Sequence, residues 1–120
     1  MNMNNKERYI QAVVSAVVDC CATEIDDEGT MSVTREAVLG RSRAENVVMT
    51  RCIAVMMLLG AGYSVTTIAQ IFRRTPNAIR HLVEAGNNYL LTSRAFRIAN
   101  AEATLRCRDI EDGSSQTNSK

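Results

Sequence analysis

The chain has no tryptophan, one proline, one histidine, three tyrosines and two phenylalanines in 120 residues. With aromatics at 4%, there are too few rings to build a stacking platform for single-stranded nucleic acid. One proline, six glycines and few β-branched alternations favour helices over sheet. No CxxC pair occurs among Cys20, Cys21, Cys52 and Cys107, and His81 has no ligand partner nearby in sequence, so zinc spacing is missing. Adjacent Cys20-Cys21 suits neither a metal nor a disulfide, and buried reduced thiols are expected. The most apolar stretch, residues 52–59, is far too short to span a bilayer. The opening MNMNNKERY is polar and is followed by an amphipathic run rather than a solid apolar block, so a cytoplasmic protein is expected. The acidic segment 24–30 lacks the ligand alternation of a calcium loop and reads as a solvated turn. There is also no nucleophile–base pair, no paired carboxylates in an apolar setting and no GxxxxGK[ST] loop. An enzyme is therefore the least supported class, and no cofactor is implied.

An apolar fraction of 46% and a charged fraction of 22% are ordinary for a globular protein, and this length suits one domain with a modest core. The pattern predicts an all-α domain of five to six helices over residues 1–108 and a polar, disordered tail over 109–120. The first helix is expected over 5–22. Its Ile10, Val13, Val14, Val17 and Cys21 make a wide apolar face, which can pack on the rest of the domain or seal a homodimer. A short helix over 34–39 should stop at Gly40. Ser42-Arg43-Ala44-Glu45 reads as a capping box opening a helix from about 43 to 59. The second half of that helix, CIAVMMLL, is apolar on nearly every side, so it should lie at the centre of the domain and end at Gly60-Ala61-Gly62. A last helix, capped by Ser93 and marked by Phe96, Ala99 and Ala103, should run to about Arg106.

Residues 64–91 carry the strongest pattern. Ser64 can cap a helix whose Val65, Ile68, Ala69 and Phe72 share one face. Arg73-Arg74 form the turn, Thr75 caps the next helix, and Pro76 takes its first position, where the missing N–H costs nothing. In that second helix Ile79, Leu82 and Val83 point one way, and Asn77, Arg80, His81 and Glu84 the other. This spacing fits a helix-turn-helix, with Ala69 as the small residue where the axes cross. Arg73 stands where the turn usually has glycine. Such a unit sets the N-terminal residues of its second helix against base edges in the major groove.

The charge agrees with that placement. Residues 41–108 hold ten arginines against three acids, a net of +7, while residues 1–40 hold three bases against seven acids, a net of −4. Every base in the positive part is arginine, the side chain that pairs bidentately with phosphate and guanine.

Residues 34–105 resemble the C-terminal DNA-binding domain of the bacterial replication initiator DnaA, with its Trp-repressor-like helical fold. The matching segments are LGRSRAENVVMTRCIAVMML, SVTTIAQIF, AIRHLV and LLTSRAF. The family has an Arg before the central helix and one within it, matched by Arg43 and Arg51, and a Ser and a Phe bounding the first helix of its motif, matched by Ser64 and Phe72. The family's turn carries two glycines and then Arg-Asp-His-Thr-Thr. Here it is Arg73-Arg74-Thr75-Pro76-Asn77-Ala78, about one residue shorter, with Arg74 in place of the family's Arg. The base-reading set has changed, so the initiator's target sequence is not expected to carry over, and no ATPase phosphate loop is present.

The resulting expectation is a sequence-dependent binder of double-stranded DNA, acting as a regulator or replication-accessory factor. Arg80 and Asn77 would read base edges. Arg43, Arg51, Arg73 and Arg74 would hold phosphates or the minor groove, with Thr75 at the helix start and His81 farther along the same face. The alternative is a protein-interaction or dimerisation module derived from such a domain.

Overall fold

A computed structural model describes residues 4–25 and 33–110, of which 81% is helical with no strand among the described residues. Six helices follow one another: α1 (Asn5–Glu24), α2 (Arg35–Leu39), α3 (Glu45–Gly60), α4 (Val65–Phe72), α5 (Pro76–Thr92) and α6 (Arg94–Arg108). Apart from Glu24, Ile25, Asp109 and Ile110, the acidic turn expected over 24–30 and the tail expected over 109–120 lie outside the described residues.

Helix α1 starts at a capping box that the sequence reading missed. The Glu7 N–H donates to Asn4 Oδ1 at 2.8 Å, and the Asn4 N–H donates to Glu7 Oε1 at 3.1 Å. Its face of Ile10, Val13, Val14, Val17, Val18, Cys20 and Cys21 is buried within the chain, against α2, α3 and α6. Each such fully buried Val or Ile contributes about 1.5–3 kcal/mol relative to exposure.

Helix α3 packs against all five other helices, as its nearly uniform apolarity predicts. Its start differs from the expectation. Ser42 and Glu45 form no capping box: the N-cap is Ala44, without a side-chain bond, and Ser42 Oγ accepts the Ala44 N–H at 3.3 Å instead. The reason lies outside the motif. The Ser42 and Gly40 carbonyls are held by arginines from α3 and from the turn after α4, so residues 40–44 form a strap rather than a first turn.

Helices α5 and α3 approach closely at Gly86. A β-carbon built there would lie 2.5 Å from Met56 Sδ and 3.4 Å from Cys52 Cβ, so Met56 fills the space of the missing side chain. Helix α4 contributes Ile68, Ala69 and Phe72 to the core, α5 contributes Ile79, and α6 contributes Phe96, Ala99 and Ala103. None of the described helices is long and apolar enough to cross a membrane.

Candidate nucleic-acid interface

Helix α4 ends in a Schellman arrangement. The Arg74 N–H donates to the Ala69 carbonyl at 2.9 Å and the Arg73 N–H to the Gln70 carbonyl at 3.3 Å. This geometry requires a left-handed residue between them, and Arg73 supplies it at φ 55° and ψ 47°. Glycine takes that conformation freely, whereas an L-residue pays about 1–2 kcal/mol. The strained residue is an exposed arginine. Thr75 then caps α5, its Oγ1 accepting the Ala78 N–H at 3.1 Å, with Pro76 in the first turn as the sequence predicts. No acidic residue lies in that first turn, so the turn itself offers no carboxylate to its positive dipole end.

Two more arginines tie the turn to the strap. The half-buried Arg74 donates from Nη1 to the Phe72 carbonyl at 3.1 Å and from Nη2 to the Gly40 carbonyl at 2.8 Å. Arg51 reaches the same Gly40 oxygen from the other side. Its Nε donates to the Val38 carbonyl at 2.8 Å, and its Nη2 lies within hydrogen-bonding distance of the Ala37, Gly40 and Ser42 carbonyls at 3.0, 3.2 and 3.1 Å. Arg51 therefore closes the C-terminal end of α2, where helix carbonyls lack partners and the dipole favours a cation. This arrangement makes the buried charge tolerable. Burial and the neighbouring Arg74 charge push the Arg51 pKa below the ordinary arginine value; burial and the Arg41 charge do the same to Arg74.

Arg51 is consequently corrected as a site residue. It is 3% exposed, and its guanidinium faces backbone carbonyls, leaving no surface for a phosphate. Arg74 is partly committed to the same clamp.

The strap continues along the flank of α5. Gly40 meets Arg74 just before α5, and Glu45 Oε2 accepts from Tyr89 Oη at 3.4 Å near its end. Arg41 and Arg43, both exposed, lie on the strap between these two contacts. On α5 itself Asn77, Arg80 and His81 are exposed, and the same stripe continues through Glu84, Asn87, Asn88 and Leu91. The sequence reading singled out neither Arg41 nor the Asn87-Asn88 pair. The pair was recoverable, because it stands seven residues after Arg80 and His81.

All four cysteines are free thiols, and Cys107 is only partly buried. Burial raises the Cys21 thiol to about 12 and the Cys52 thiol to about 11, and it also raises Cys20 and Cys107. No group of three or more His, Cys, Asp or Glu that could hold a metal occurs among the described residues. Comparison with family models, with curated proteins and with solved structures returns no match for this chain.

Proposed function

We propose that this chain binds double-stranded DNA, with α4, the turn and α5 acting as a helix-turn-helix and α5 entering the major groove. One observation carries the reading. The exposed stripe of α5 bears Asn77, Arg80, His81, Asn87 and Asn88, and exposed Arg41, Arg43 and Arg73 stand on the strap and turn attached to that helix. Asn and Arg make bidentate contacts with adenine and guanine edges, and exposed arginines neutralise backbone phosphates. The resemblance to the DnaA DNA-binding domain supports the same reading and a regulatory or replication-accessory role.

A salt titration on duplex DNA, followed by fluorescence anisotropy, tests it. With roughly four to six phosphates contacted, log K should fall against log salt with a slope of about −4 to −5. Arg80→Ala should flatten the preference between selected and scrambled duplexes, a contact worth about 1–3 kcal/mol. Arg43→Ala should weaken both alike and reduce the slope by about one unit. No binding at low salt would refute the proposal.

A second reading, a protein-docking or dimerisation face, is favoured by a different observation. On α6, Ile98 and Leu105 are exposed seven residues apart on one side, with exposed Glu102 between them and exposed Arg94 one turn earlier. Light scattering at rising concentration checks it.

A further inference from the structure

We propose that the cavity between α1, α3 and α6 binds a small amphipathic carboxylate, an acid with an apolar chain of medium length, and that its occupancy is felt at α5 through Met56. It is a depression largely open to solvent, of about 320 Å³, at the lower end of the range of small-molecule sites. Its walls are Tyr9 from α1, Met56 and Met57 from α3, and Thr104 and Cys107 from α6, with Arg108 also lining it. The Thr104 hydroxyl already donates to the Asn100 carbonyl at 2.8 Å and lies 3.8 Å from Met57 Sδ, so the inner wall behaves as apolar. Unbranched thioethers adapt their shape to a flexible chain. Arg108 is exposed and no acidic residue among the described residues lines the cavity, so the charge of this lining favours an anion. Burial raises the pKa of the Cys107 thiol, which keeps a competing negative charge away. A second cavity, of about 490 Å³ between α1 and the end of α6, sets Asp19 and Asp109 against Arg106, so its lining mixes both signs of charge and an anion would meet two carboxylates there.

Met56 supplies the connection to α5. It lines the cavity and also occupies the space over Gly86, where a β-carbon would come within 2.5 Å of its sulfur. A chain seated against Met56 must therefore press on α5 midway along its length, or draw the thioether away from it. The proposal does not depend on DNA binding, because every readout below is made on the protein alone.

The experiment titrates protein labelled at the methionine methyls and backbone amides with octanoate, 1-octanol and octylammonium, observed by NMR. Octanoate should shift the Met56 and Met57 methyls saturably, with a Kd on the order of 1 mM for a ligand of this size, and should shift the Gly86 amide in the same titration. Octylammonium should not bind. Arg108→Gln should weaken octanoate about threefold and leave 1-octanol unchanged. Gly86→Ala should push the Met56 thioether into the cavity and weaken octanoate, with a thermal melt confirming that the variant is folded. Absence of saturable methyl shifts up to about 10 mM octanoate overturns the site. Octylammonium binding as well as octanoate overturns the assignment of charge. A still Gly86 amide, or unchanged affinity in folded Gly86→Ala, overturns the coupling to α5.

Discussion

Arg51→Met separates a buried clamp from a DNA ligand. Methionine keeps a long unbranched stem and removes the guanidinium. The Val38 carbonyl loses a fully buried donor at 2.8 Å, which costs about 1–3 kcal/mol once the oxygen is stranded. The Ala37, Gly40 and Ser42 carbonyls lose donors in partly buried settings, where water can return, at about 0.5 kcal/mol each. Relief from burying an arginine that is not matched to a carboxylate offsets part of this. The net loss is about 2–4 kcal/mol, a large share of the ~5–15 kcal/mol typical of a domain. Thermal melts followed by circular dichroism should show Tm lowered by roughly 6–15 °C. Arg51→Lys should fall between the two, since a compact ammonium cannot span all four carbonyls. If Arg51→Met melts within about 2 °C of the parent while DNA affinity drops, Arg51 is a phosphate ligand and the clamp is refuted.

Arg73→Gly should raise stability in urea denaturation by about 0.5–1 kcal/mol, because relief of the ~1–2 kcal/mol left-handed strain is partly offset by glycine's greater backbone entropy when unfolded, while lowering DNA affinity and the salt slope by about one unit; a fall in stability would contradict the turn geometry. Deleting residues 1–24 uncovers the apolar surfaces of α3 and α6 beneath α1 and should abolish the cooperative melt, whereas a parent-like transition would make α1 dispensable. Cys21 and Cys52 stay protonated when folded, at about 12 and about 11 against an ordinary 9.0, so their contribution is complete below pH 9 and is lost as pH rises toward those values. Stability by urea denaturation should then decline from about pH 9 upward by as much as ~1.4 kcal/mol per pH unit per thiol, and a flat profile from about pH 8 to 10 would count against the burial of these thiols.

Much of the helical framework was legible because its signals are local. Ser64, Thr75 and Ser93 each accept from an N–H three residues on, a bond determined within one turn of chain, and Thr34, expected as the first residue of its helix, is the cap of α2 in the same way. The stripe Ile10, Val13, Val14, Val17 and Cys21 is buried, and the helix ending in CIAVMMLL lies among all the others, because periodicity and uniform apolarity are themselves statements about burial. The turn length placed Arg73 where a glycine conformation is needed, and the backbone adopts that conformation despite the side chain.

Tertiary structure decided the rest. Ser42 and Glu45 satisfy a local capping pattern, yet α3 begins at Glu45, because Arg51 and Arg74 hold the strap through bonds spanning 9 to 34 residues. The same bonds decide which arginines face outward. Arg43 and Arg51 look alike as members of a basic segment, but one is exposed and the other lies buried at the end of α2. Gly86 likewise reads as a weak point inside a helix until Met56 of α3 is seen filling its place. In each case the deciding partner is remote in sequence. Local patterning therefore determined the helices and their inward faces, while long-range contacts determined which polar groups remained outside to meet a ligand.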